Sequence, residues 1–271
     1  MELLQYTFFQ HALLGALLAS IACGVIGTYI VTRRLVFISG GITHSSFGGV
    51  GLGMYLGINP LVAASLFAMM SAVGVEWLGK RKDIREDSAI AVFWAFGMAV
   101  GIIFSFLTPG YHTELSTYLF GNILAISTAD LWFLGAVGLL SVLFFAIFMR
   151  PILYIAFDRE FARSQHLPVA FIEYMLMLLI SLTIVACLRM VGIVLAISLL
   201  TLPQMTANLF TRSFGKMIGL SIVAGLLSCT GGLLVSYWVN VPSGATIIFV
   251  SILLYAVCKM AATLIMRRRV Q

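Results

Sequence analysis

Of the four histidines, only His44 falls in the interior of a segment apolar enough to enter a bilayer. It lies in Ser39–Gly53, a run of glycine, serine, threonine and apolar residues without a charge. An imidazole among lipid tails costs free energy unless it faces a polar cavity or a partner, so it points to a transport path. A neutral ring nitrogen suits a borderline divalent metal. A satisfied structural histidine is the alternative reading. Thr43, Ser45 and Ser46 flank the ring and could hold its second nitrogen or orient water. Read as a helix, Gly41, Ser45, Gly49, Gly53 and Gly57 fall every fourth residue on one stripe, with Gly48 and Gly51 beside it. Such a face lets a neighbouring backbone come close in lipid, and packing alone would account for its glycines.

The other reactive side chains give weaker signals. His11, His112 and His166 sit at segment edges or in loops; His112 and Glu114 share an outer loop and could meet an incoming cation, or be ordinary solvated residues. Glu76 and Glu173 lie near segment ends, where each can reach toward water or pair with a base. No segment carries paired carboxylates at its centre, which weighs against a proton-coupled carrier. Cys23, Cys187, Cys229 and Cys258 are scattered singly in apolar runs, as small packing residues would be. No GxxxxGK[ST], HExxH or GxSxG sequence occurs, so ATP hydrolysis would have to come from another subunit.

The elements that position these residues follow from composition. Hydrophobic residues make up 61% of the 271 and charged ones 10%, and the mean hydropathy is +1.09. A water-facing shell needs about a quarter of its residues charged, so lipid must be the solvent. A bilayer takes about 20 apolar residues per crossing. Apolar segments run over 10–32, 40–57, 61–79, 88–107, 131–149, 169–188, 191–210, 217–239 and 245–266. The fold class expected is all-α, a polytopic transmembrane bundle of eight or nine helices forming one domain over 1–271. The segment 40–57 is short and glycine-rich enough to be re-entrant. The N-terminal stretch has no basic leader and is expected to belong to the mature chain. Pro203, in Thr201–Ala207, removes a backbone donor and is expected to kink or unwind its helix.

Alternate crossing puts fifteen of the 16 basic residues on one side, Arg189 being the exception. By the positive-inside rule that side is cytoplasmic, with the N-terminus outside and the C-terminus inside. The net charge of +6 therefore reads as topology and not as a nucleic-acid patch. The inner loop 150–168 contains a short amphipathic helix: Asp158 can cap it, Glu160 suits the positive end of its dipole, and Pro168 stops it. Arg159, Phe161, Ala162 and Arg163 complete this helix. It is either an interfacial helix or a docking knob for a cytoplasmic partner.

Taken together, these motifs resemble the permease subunits of the ABC importers for zinc, manganese or iron. The resemblance is carried by Arg33-Arg34, then Gly41–Gly53 with its histidine, then Gly57–Pro60. Tyr118–Ile126, Asp158–Leu167, Val191–Ala207 and Val241–Ala245 follow in similar order and spacing. It implies a type II ABC importer-like permease in a bacterial plasma membrane, working as a homodimer. Its partners would be two cytoplasmic ATPase subunits, which hold ATP and magnesium, and an external metal-binding protein; the chain itself would bind no cofactor. Loop 150–168 would contain the ATPase-coupling helix and His44 would line the metal path. Two departures stand out. Many members carry an aspartate four residues before the histidine, where this chain has Gly40, and a glycine near the end of the coupling loop, where it has His166. His44 without a carboxylate favours zinc over manganese or iron as cargo. An iron chelate as cargo, and an autonomous secondary transporter, are the competing readings.

Overall fold

The computed structural model describes residues 5–80, 84–109, 121, 123 and 126–270. Among them are ten helices and no strand: α1 (Thr7–Thr32), α2 (Val36–Leu56), α3 (Pro60–Gly79), α4 (Glu86–Leu107), α5 (Thr128–Phe157), α6 (Arg159–Ser164), α7 (Val169–Leu199), α8 (Leu202–Asn208), α9 (Phe214–Val239) and α10 (Ser243–Val270). His112, Glu114, Arg81, Lys82 and most of Tyr118–Ile126 lie outside the described residues.

Among the described residues, eight stretches are long and apolar enough to span a bilayer: Thr7–Thr32, Pro60–Gly79, Glu86–Leu107, Thr128–Phe157, Val169–Leu188, Met190–Asn208, Phe214–Val239 and Ser243–Leu264. α2 is a ninth helix of 21 residues, continuous and not broken at its glycines. It is absent from that set because small and polar residues dilute its hydropathy. Lipid does not need to solvate it, since its length from Ile38 to Val50 is buried apart from half-buried His44. α2 is held between α3, α4 and α7. α1 packs on α5, α7 and α9, and α10 closes against α7, α8 and α9. The spans least buried within the bundle are those of α4, α5 and α10, where Phe106, Trp132, Ile147 and Phe249 are exposed.

Local chemistry sets the helix ends. Asn59 accepts the N–H of Leu61 at 2.9 Å and Pro60 takes the first turn of α3, where a missing donor costs nothing. Ser127 and Asp130 form a capping box at the start of α5. The inner loop expected from residue 150 begins later, because α5 runs on to Phe157. Pro151 breaks the backbone pattern at Phe148 (φ −104°, ψ 18°), yet Ile152 and Ile155 are buried and hold the extra turns in place. The break between the expected segments 169–188 and 191–210 is a non-helical backbone at Gly192 (φ 72°, ψ 175°). Only glycine takes such a backbone without strain. Gly121 packs against this break so closely that a Cβ there would run into the backbone of Val191 and Gly192.

Candidate functional site

His44 sits near the middle of α2, and its ring lies flat on Trp94 of α4, with centroids 4.4 Å apart and planes within 7°. Phe37 leans on the same indole at 6.0 Å. The imidazole Nδ1 is buried and has no hydrogen-bond partner. An unpaired buried acceptor or donor costs about 1–3 kcal/mol, so the stack alone gives a structural histidine little reason to be here. The hydroxyls that were candidates to hold the second nitrogen do something else. Thr43 donates to Ser39 O at 2.5 Å, Ser45 to Ile42 O at 2.9 Å and Ser46 to Thr43 O at 2.6 Å. In an apolar interior the carbonyl three or four residues back is the nearest acceptor, and each hydroxyl takes it.

The small-residue stripe divides. Four-residue steps drift by about 40° on a helix of 3.6 residues per turn, so its two halves face different neighbours. A Cβ on Gly41 would strike Ile90 of α4, and Ser45 lies against Gly97 of α4. Gly49 and Gly53 instead meet Ala63, Ala64 and Pro60 of α3. Gly57 does not pack at all. Nothing lies within 4 Å of a Cβ placed on it, and its φ of +67° makes it the left-handed cap of α2. Glycines outside the stripe also approach backbone closely: Gly48 faces Gly97 O, and Gly51 faces the backbone of Gly101. The pair Gly97-xxx-Gly101 in α4 was the readable signal.

Gly40 has room. A Cβ there would touch only Trp94 Cζ3, at 3.9 Å, beside the ring on which His44 stacks. Among the described residues no three His, Cys, Asp or Glu side chains gather as a metal cage. A site on α2 therefore offers one nitrogen plus whatever water or a neighbouring chain supplies.

α6 is a short helix between α5 and α7. Asp158 caps it, accepting from Phe161 N–H at 2.9 Å, and Arg163 donates to Glu160 at 2.7 Å along its exposed side. Ala162 is buried and Phe161 is half exposed, its ring edge-on to Tyr154 of α5. His166 ends the helix with φ +56°, while Leu167 N–H donates to Ala162 O at 3.3 Å. This is the left-handed closure that glycine adopts most cheaply. His166→Gly is therefore expected to raise thermal stability, by about 1 kcal/mol, without loss of transport. A lower melting temperature would show that the imidazole makes a contact worth more than the strain.

Arg159 reaches back from α6 and donates to Glu173 Oε2 of α7 at 2.6 Å. Lys80, just past α3, lies 3.4 Å from the same oxygen and 2.9 Å from Glu76, with the Tyr174 ring 4.0 Å from its nitrogen. Burial alone would pull the Lys80 ammonium down. The Glu76 hydrogen bond and charge, joined by Glu173, outweigh it and hold the group above its ordinary value. Glu76 meets Lys80 four residues further on, as spacing allows, whereas Glu173 draws bases from two other segments, which spacing along the chain could not reveal.

Pro203 sits in the first turn of the short helix α8, after a non-helical Thr201 (φ −128°, ψ −54°). Gln204 beside it donates to Cys23 O of α1 at 2.7 Å, and a Cβ on Gly27 would meet that amide. The cysteines are free thiols, but not all apart: Cys23 and Cys187 bring their sulfurs to 3.6 Å between α1 and α7.

Comparison with known proteins gives one answer. Residues 5–262 match the ABC 3 transport family. The manganese transport system membrane protein MntC of Halalkalibacterium halodurans is 36% identical, over 94% of this chain and 87% of that protein. A membrane protein of Synechocystis sp., slr2045, is 38% identical over 94% of this chain and 91% of its own length. Among solved structures, PsaBC from Streptococcus pneumoniae in complex with Fab superposes with a TM-score of 0.85 at 31% identity, covering 95% of this chain and 93% of that one.

Proposed function

The chain belongs to the ABC 3 transport family, and from that premise we propose that it admits a divalent transition metal, manganese foremost, through a path lined by His44. The observation that carries the reading is the buried, unpartnered Nδ1 of His44 on a helix rich in small residues. A cation that sheds part of its water needs such a donor, and the fold gains nothing from leaving it empty. The manganese-named relatives put that metal first. Zinc is the second reading, because the site offers nitrogen and no gathered carboxylates.

In this reading the whole chain is one permease unit in a bacterial plasma membrane, paired with a second copy. Its N-terminus lies outside and its C-terminus in the cytoplasm, as the basic residues require. An external binding protein delivers the metal. A cytoplasmic ATPase pair, carrying ATP and magnesium, docks on α6 through Phe161 and its charged neighbours Asp158, Arg159, Glu160 and Arg163. Closure of that pair moves α6 and shifts the bundle between outward and inward access.

The test of cargo is uptake of manganese and zinc, each alone and in competition, by proteoliposomes holding the complete complex. Manganese accumulation that zinc slows only in excess agrees with the leading reading. Zinc accumulation without manganese transport turns it to the second. The open space at Gly40 gives a sharper form. Gly40→Asp places a carboxylate beside the imidazole and is expected to shift the manganese-to-zinc uptake ratio toward manganese by about tenfold. An unchanged ratio would remove this face of α2 from metal selection.

A further inference from the structure

We propose that Glu173 is a positioning residue that passes movement of α6 to α3 and thence to α2, through the ion-pair chain Arg159–Glu173–Lys80–Glu76. The proposal rests on the reading of α6 as the docking helix and concerns how its motion reaches His44.

Glu173 is the junction of the chain. One oxygen, Oε2, takes Arg159 Nη2 at 2.6 Å and lies 3.4 Å from Lys80 Nζ, and the side chain is only 5% exposed. Arg159 belongs to a helix outside the apolar spans, and Lys80 to the inner end of one. α6 otherwise touches the bundle through buried Ala162 and the Phe161–Tyr154 ring contact with α5. Among the described residues, Arg163 and Glu160 pair with each other. The Arg159–Glu173 bond is thus, among the described residues, the ion pair that ties the docking helix to the interior.

The second half of the chain ends where movement has a consequence. α3 and α2 approach backbone to backbone: Gly49 faces Ala63 O and Ala64 Cα, and Gly53 faces Pro60 and Ala63. The Phe67 ring of α3 fills the space beside them against Gly48, and packed interiors transmit displacement without absorbing it. Gly49 follows His44 by little more than one helical turn. A pull on Lys80 therefore moves the helix that carries the imidazole. As glue alone, a buried ion pair is a poor choice, because desolvation offsets its attraction. Its merit here is reach, joining a turn in water to a helix in lipid.

Lys80→Gln tests the proposal most cleanly, because it cuts the tie to α3 and leaves α6 with its Arg159–Glu173 pair. The complete complex, with its binding protein in proteoliposomes, is assayed for ATP hydrolysis and manganese uptake together. The expected result is an ATPase that stays bound and turns over, with about tenfold less manganese carried per ATP. Lys80→Arg is expected to restore most of that ratio. Glu173→Gln should show the same loss. An unchanged ratio in Lys80→Gln overturns the proposal, and so does a loss of ATP turnover equal to the loss of uptake, which marks a merely structural pin. Phe161→Asp separates the underlying reading: it should release the ATPase. Retention of the ATPase and of transport in that variant overturns α6 as the docking helix, whatever the Lys80 result.

Discussion

His44→Ala is expected to bring metal uptake by the reconstituted complex to background, a loss of more than about 100-fold, while membrane insertion and ATPase association stay as they were. Two facts separate function from folding at this position. The ring is half-buried and contributes a stack on Trp94, worth about 1 kcal/mol. It also brings an unpartnered Nδ1 into the interior, and its removal relieves that cost. The two effects nearly cancel, so stability should hardly change. A metal ion in the path, by contrast, loses a nitrogen donor with no other ligand cluster among the described residues to replace it. His44→Gln is the companion variant, since it keeps a polar side chain without imidazole chemistry. Full uptake in either variant would take His44 out of the path.

Gly51→Val is expected to destabilise the protein by about 3 kcal/mol or more and to cut the yield of folded permease in detergent sharply. A Cβ at this position runs into the backbone of Gly101. Backbone cannot rotate away as a side chain can, so α2 and α4 must separate. Phe47 and Gly101, and Ser45 and Gly97, meet along the same seam and would part with them. Gly57→Ala provides the contrast. It meets no neighbour within 4 Å, and its cost is the left-handed φ of +67°, about 1 kcal/mol. Size-exclusion profiles and melting temperatures of the two variants measure the difference. Equal behaviour would mean that the α2–α4 seam is looser than described.

Hydrophobic runs and charge placement were enough to anticipate α1, α3, α4, α9 and α10 within a few residues, because lipid demands long apolar helices whatever their neighbours. α6 was legible for a different reason: Asp158 and Glu160 are local start signals that act over three residues, although the helix ends at Ser164, before the stop expected at Pro168. The fold departs from expectation where distant backbone decides. The inner loop was expected to start at residue 150, but burial of Ile152 and Ile155 carries α5 onward to Phe157. A stripe every fourth residue suggested one packing face for α2; the drift of the helix gives it two. At the candidate site, His44 stood out by residue type alone. Trp94, 50 positions later, could not be assigned to it from spacing, nor could Glu173 to Lys80, since both are through-space pairings made by helix packing.

The central claim is that this membrane chain moves metal only when a separate ATPase drives it. The most direct measurement compares manganese accumulation in two sets of proteoliposomes, one with the permease, its ATPase and binding protein, the other with the permease alone. Accumulation against a gradient in the first set, dependent on ATP and absent in the second under any imposed ion gradient, is the predicted result. Uptake by the chain alone, driven by a proton or sodium gradient, would contradict the account and identify a self-sufficient carrier.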